Sequence, residues 1–264
     1  MSLIRSRDAA LSYEEYGAGR SLVLLPGLFG TVDTEWRRFL PDLARQRHII
    51  AADLRGHGKS NNPSGRLNLP LLAEDLHVLL ETLQIEKAAL CGLEWGGTAG
   101  LLFGLAHPDR ITALIMHGGR LSWSPTQAEA WRSSWNPDRI LAEDPGRAAD
   151  LLSAHSPGNG PDGWRRLLGA AGGILRSPPL LDPPGIRLRS VPFPVLVSAC
   201  SGEDPAVLDD SRRAASLIPR GSFALLEGCQ HRFGTVRKEP FLRTVLAFLE
   251  EAEEGAAAGG EETP

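Results

Sequence analysis

Stretches of unbroken apolar sequence alternate with stretches whose apolar residues recur every three or four positions. The unbroken runs are SLVLL (21–25), HIIAAD (48–53), KAALC (87–91), ITALIMH (111–117), PVLVSAC (194–200) and SFALLE (222–227). A strand covered on both faces has no polar side, so such runs predict a mostly parallel sheet flanked by helices, an α/β fold. The periodic stretches supply the helices. LPLLAEDLHVLLETL places Leu72, Leu76, Leu79, Leu80 and Leu83 at near-helical spacing. VLDDSRRAASLIP predicts a short helix ending before Pro219, and EPFLRTVLAFLEE predicts the last one. In TEWRRFLPDLARQ, Pro41 interrupts a helix or starts a new one, because proline has no N–H to give to a preceding turn. ALSYEEYG predicts an antiparallel hairpin at the sheet edge.

The alternation breaks after the sixth strand. Residues 120–190 are rich in Pro, Gly, Trp and Arg and predict a helical cap, with residues 1–119 and 191–250 forming the core. Trp123, Trp131, Trp135 and Trp164 fall in this segment. Gluing cap to core explains them at least as well as ligand contact does, but Trp123, Trp131 and Trp135, with Phe29, are candidates for an apolar pocket. Residues 251–264 are acidic and small, which predicts a disordered tail.

Composition narrows the classes. The chain has 264 residues, of which 42% are apolar, enough for one large domain with an insertion. The formal net charge is −4 and no basic stripe appears, which argues against a nucleic-acid partner. The apolar runs are too short to span a bilayer, and MSLIRSRDAALSYEEYG lacks a signal-peptide core. A cytoplasmic protein that does not engage a membrane is expected. Cys91, Cys200 and Cys229 are odd in number and widely spaced, so they predict buried small side chains rather than a disulfide framework or metal site. No heptad pattern points to an oligomeric state.

In an open parallel sheet, ligands bind beyond the carboxyl ends of the strands. PGLFG (26–30), DLRGHGKS (53–60), CGLEWGG (91–97), SGEDP (201–205) and EGCQHR (227–232) fall there. Together these residues make 3–250 resemble the α/β-hydrolase superfamily. DLRGHGKS resembles its D-x-R-G-x-G-x-S loop, and GLEWGG its nucleophile elbow G-x-S-x-G. GEDP resembles the turn bearing the triad acid, and GCQHR the turn bearing the triad histidine. The resemblance implies the superfamily fold and carries the nucleophile position to Glu94, the acid to Asp204, with Glu203 as a substitute, and the histidine to His231. It places His57 and Ser60 in the scaffold, and an oxyanion hole at the N–H groups of Leu28 and Trp95, where a first turn reading Pro26-Gly27-Leu28 rather than H-G-x still supplies backbone.

Glu94 is the departure that sets the chemistry. A carboxylate attacking an ester would give a mixed anhydride, so serine-esterase chemistry is disfavoured. Glu94-Trp95-Gly96 resembles the D-W-G of epoxide hydrolases and haloalkane dehalogenases, with one added methylene. That methylene shifts the carboxylate by about an ångström, which in a positioned reaction can cost ~10²-fold. Those epoxide hydrolases use tyrosine donors in the cap, whereas this chain has Tyr13 and Tyr16 near its start and no others. The alternative role is a general base, in a coupled set of two carboxylates flanking a protonated His231. That role suits hydrolysis, elimination, isomerisation or cyclisation of a small, largely apolar molecule without a cofactor or metal. An altered triad would suit secondary metabolism. Two further readings stand beside it: covalent attack on an sp³ carbon, and a ligand-binding protein with a retired site. His117, ending the strand before the cap, is a further candidate for the pocket mouth, whereas His48, His77, His107 and His155 have no motif context.

Overall fold

The apolar runs become strands. In the computed structural model, which describes residues 2–119, 121–176 and 185–259, eight strands form one sheet in the order β1-β2-β4-β3-β5-β6-β7-β8. They are β1 (Ser2–Ser6), β2 (Ala9–Tyr16), β3 (Ser21–Leu25), β4 (His48–Ala52), β5 (Ala88–Leu93), β6 (Ile111–His117), β7 (Val195–Gly202) and β8 (Gly221–Gln230). β1 and β2 make the antiparallel hairpin and β2 runs antiparallel to β4. β4, β3, β5, β6, β7 and β8 are parallel neighbours. Every residue of β5 is buried, as its lack of a polar face requires.

Helices cover both faces. On one side lie α2 (Leu69–Thr82), α3 (Glu94–Ala106) and α9 (Pro205–Leu217); on the other lie α1 (Leu40–Leu43) and α10 (Lys238–Gly259). Leu72, Leu76, Leu79 and Leu80 of α2 bury with Leu101 and Phe103 of α3 against Leu90 and Leu114. Each such leucine contributes about 2 kcal/mol of transfer free energy. On the opposite face Trp36, Phe39, Phe233 and Phe241 pack ring to ring, with centroids 5.1–6.1 Å apart. Trp36 ends a π-helical turn, Val32–Trp36, and α1 begins with Pro41 in its first turn, so the proline starts a new helix.

Between β6 and β7 the described residues form α4 (Pro125–Ser134), α5 (Pro137–Glu143), α6 (Pro145–Asn159), α7 (Gly163–Ala171) and α8 (Gly185–Arg189). α10 runs on to Gly259, so the tail expected to be disordered from residue 251 is helical through 259; residues 260–264 lie outside the described residues. Among the described residues no helix is long and apolar enough to cross a membrane.

The DLRGHGKS loop ties the site loops to this frame. Arg55 is fully buried and forks onto Asp75 of α2, with Nε and Nη2 at 2.7 and 2.6 Å. Removing one partner of such a pair strands a buried charge, at about 3–5 kcal/mol. Asp53 accepts from the N–H of Val32 at 2.8 Å and of Lys59 at 2.9 Å, so one carboxylate fixes both the turn after β3 and its own loop. Connections leave the sheet in opposite directions on the two sides of β3, which opens a crevice above the ends of β3 and β5.

Candidate active site

The crevice is a cavity of about 1130 Å³. Glu94 stands at its floor, where β5 passes directly into α3. Its backbone has φ +43°, the left-handed region that costs a side-chain-bearing residue of order 1–3 kcal/mol. The flanking glycines make the turn possible: a Cβ at Gly92 would overlap the Gly97 backbone, and one at Gly96 the Pro26 carbonyl. The carboxylate is thus thrust out at the head of a helix by backbone geometry.

His231 follows β8 and meets Glu94, with Nε2 3.2 Å from Oε1. Its Nδ1 lies 3.1 and 3.0 Å from the two oxygens of Glu203, whose side chain is 1% exposed. The hydrogen bond to Glu203, and then that to Glu94, push the imidazole up to about 10. His231 is therefore an imidazolium held between two carboxylates at neutral pH.

The acid beside His231 is Glu203 and not the expected Asp204. Asp204 is exposed and caps α9, accepting from the N–H of Ala206 at 2.8 Å. The sequence carried the signal: Asp204-Pro205 is the N-cap followed by N1 proline of a helix start. A carboxylate spent on helix amides is not available to the histidine, whereas Glu203 turns inward.

Of the other predicted site residues, Leu28, Phe29 and Trp95 line the cavity from the core, and Trp131 and Trp135 from the helices between β6 and β7. Phe29 has φ +68° and meets Trp135 edge-on at 5.5 Å. Trp123 does not line the cavity. It packs edge-on against Trp95 at 5.2 Å and buttresses the wall from behind. His117 is also displaced from its expected place. It is buried, with Nδ1 3.0 Å from Ser198 Oγ, and is packed by the rings of Phe233 and Phe241 on the α10 side of the sheet. Burial drives it down to about 4, so it stays neutral.

Three features escaped the sequence reading. Glu35, in the π-helical turn, lines the cavity and accepts from the N–H of Gly27 at 2.8 Å. Burial, and then the charge of Glu94, push its carboxyl up to about 8. TEWRRFLPDLARQ reads as helix around Pro41, and nothing in that pattern singles out Glu35. His155 of α6 bridges two core loops, accepting from the N–H of Gly58 at 3.0 Å and placing Nε2 3.2 Å from the Phe29 carbonyl. Cys200 and Cys229, expected to be independent, are joined by a disulfide, with Cα atoms 5.2 Å apart on neighbouring strands. A separation of 29 residues hid the adjacency of β7 and β8. Among the described residues no group of three or more His, Cys, Asp or Glu is placed to hold a metal ion.

The similarities of the chain point the same way as the fold. The 3-oxoadipate enol-lactonase 2 of Acinetobacter baylyi is 25% identical over 257 residues, covering 93% of this chain and 95% of its own. A thermophilic esterase from Thermogutta terrifontis superposes with a TM-score of 0.79 at 22% identity, covering 96% of this chain and 99% of its own. The enol-lactonase from Burkholderia xenovorans LB400 gives 0.75 at 20% identity, with 94% and 100% covered. The profile of the alpha/beta hydrolase fold matches residues 20–194, a span that takes in the loops after β3 and β4 and the elbow and ends before Glu203 and His231. The chain belongs to the alpha/beta hydrolase fold family.

Proposed function

We propose that the protein is a cofactor-free enzyme that acts on a small, largely apolar molecule by general acid–base chemistry, with Glu94 as the base. One observation carries this reading: the His231 ring lies between Glu94 and Glu203, with Nε2 3.2 Å from one carboxyl and Nδ1 3.0 Å from the other. Glu94 takes a proton from a water or an acidic C–H of the substrate. Neutralising Glu94 releases the Nε2–H of His231 to donate to the departing or developing oxygen, and Glu203 holds the ring through Nδ1. The N–H groups of Leu28 and Trp95 are the proposed donors to an oxyanion. Phe29, Trp131 and Trp135 give the cavity an apolar wall against which such a molecule can pack.

Hydrolysis, elimination, isomerisation and cyclisation all need this proton traffic. Relatives named for lactone and ester hydrolysis make hydrolysis the first to test, through water activated by Glu94 rather than through an acyl-enzyme. Covalent attack by Glu94 on an sp³ carbon is less well supported. Glu94 carries one methylene more than the aspartate of the D-W-G enzymes it resembles, which moves the carboxylate by about an ångström from their attack position.

Activated esters, lactones, epoxides, haloalkanes and β-substituted ketones are to be offered to the wild type and to Glu94→Gln in parallel. We expect turnover of at least one to fall ~10²–10⁴-fold in the variant while binding persists. Equal turnover by both proteins would remove Glu94 from the mechanism and favour a binding role for the cavity.

A further inference from the structure

The mechanism above uses one carboxylate on the cavity floor, yet the floor carries two. Gly27 lies between them. A Cβ built on Gly27 would stand 3.2 Å from the Glu94 carboxyl and 3.5 Å from Oε1 of Glu35. Both carboxyls therefore converge on one point above the Gly27 backbone, with no side chain between them. Gly30 serves Glu35 in the same way, since a Cβ there would overlap its carboxyl. The two glycines of PGLFG thus make room for the acid pair, a requirement beyond turn formation.

We infer that Glu35 and Glu94 act as a pair sharing one proton, with Glu35 as its bearer and the general acid that donates it to a substrate oxygen seated over Gly27. The inference rests on the reading of Glu94 as base and extends it to the substrate. A neutral molecule with a carbonyl, ether or lactone oxygen close to an acidic C–H or an attackable carbon fits such a floor.

The asymmetry of the pair has a local cause. Oε2 of Glu35 accepts from the Gly27 N–H at 2.8 Å, which leaves Oε1 directed at the convergence point. Glu94, by contrast, has His231 at its Oε1. Two adjacent carboxyls cannot both ionise cheaply, and the proton settles on the one that is not paired directly with His231. The charged groups around Glu35 are Glu94 from α3 and His231 from beyond β8. Asp33 on its own turn is paired with Arg37 and Lys59, and Asp144, Arg147 and Asp150 line the cavity from α6 and the turn before it. The rise of the Glu35 carboxyl to about 8 agrees with this arrangement.

Infrared difference spectra across pH 5 to 9 test the proton without any substrate. A protonated-carboxyl C=O band should titrate near pH 8 in the wild type. It should vanish in Glu35→Gln and titrate at lower pH in Glu94→Gln, where the neighbouring charge is gone. A band that persists in Glu35→Gln, one that does not move in Glu94→Gln, or no titrating carboxyl at all would each overturn the pair. Gly27→Ala, which wedges a methyl between the carboxyls, should weaken the coupling, and circular dichroism checks that it folds. On any ester, lactone or ketone that the wild type turns over, Glu35→Gln should lower kcat at least tenfold and remove the alkaline limb near pH 8. An unchanged kcat with the limb intact would refute the donor role while leaving Glu94 as base. Loss in Glu35→Gln alone, with Glu94→Gln unaffected, would refute the underlying reading as well.

Discussion

Glu203 and Asp204 are neighbours in the chain with separate tasks. Glu203 is turned inward, its carboxylate on His231, while Asp204 faces solvent and caps α9. Glu203→Gln should lower the His231 pKa well below its value of about 10, because its largest raising partner is lost. Turnover should fall roughly 10²–10⁴-fold, as it does when a histidine loses its orienting carboxylate. Asp204→Ala should leave turnover unchanged and cost about 1 kcal/mol of stability through the lost cap. Ring-proton titration of His231 by NMR, with thermal melts of both variants, separates the two. Equal effects on the His231 titration would return the acid to Asp204.

The elements show where reading from sequence succeeds and where it stops. Strands buried on both faces announce themselves as apolar runs, so SLVLL and KAALC become β3 and β5 almost residue for residue. The elbow is legible because Gly92 and Gly96 are demanded by a backbone that no other residue can follow. His231 is legible from its turn and order. What fails is the direction of side chains at strand ends and in loops. His117 ends β6 as expected, yet it points into the Phe233–Phe241 cluster because strand side chains alternate between faces. Glu35 was hidden because its importance comes from Glu94, 59 positions further along by residue number, through a glycine that leaves the space open. Trp123 precedes α4 and Trp131 lies on it; both pack edge-on against Trp95, and packing alone decides that Trp131 lines the cavity while Trp123 does not.

At the scale of the whole molecule the buried titratable groups set the pH range of stability. Burial holds His57 down to about 3, and His117 and His155 to about 4, against an ordinary value of 6.5. Below pH 6.5 the unfolded chain binds protons that these rings refuse, so stability falls as pH drops toward 4, by up to roughly 3 kcal/mol for a fully buried ring such as His117. Two groups act in the opposite sense. His231, raised to about 10, gives stability that is complete below 6.5 and is lost as pH rises through 10. Glu35, raised from 4.5 to about 8, adds a cost that grows over that interval. Urea midpoints should therefore peak near pH 6.5 and decline toward both pH 5 and pH 9, while a midpoint still rising at pH 9 would contradict the assigned protonation states. The elbow has a separate consequence for the same folding equilibrium. Its φ of +43° is imposed on a glutamate, and glycine alone occupies that region freely. Glu94→Gly should unfold with about 1 kcal/mol more free energy than Glu94→Gln, since both lose the charge facing His231 and glycine alone relieves the left-handed backbone, and a melting temperature no higher than that of Glu94→Gln would count against strain at this position. On the proposed reading of Glu94 as the base, stability and reactivity are thus set against each other at this one backbone position.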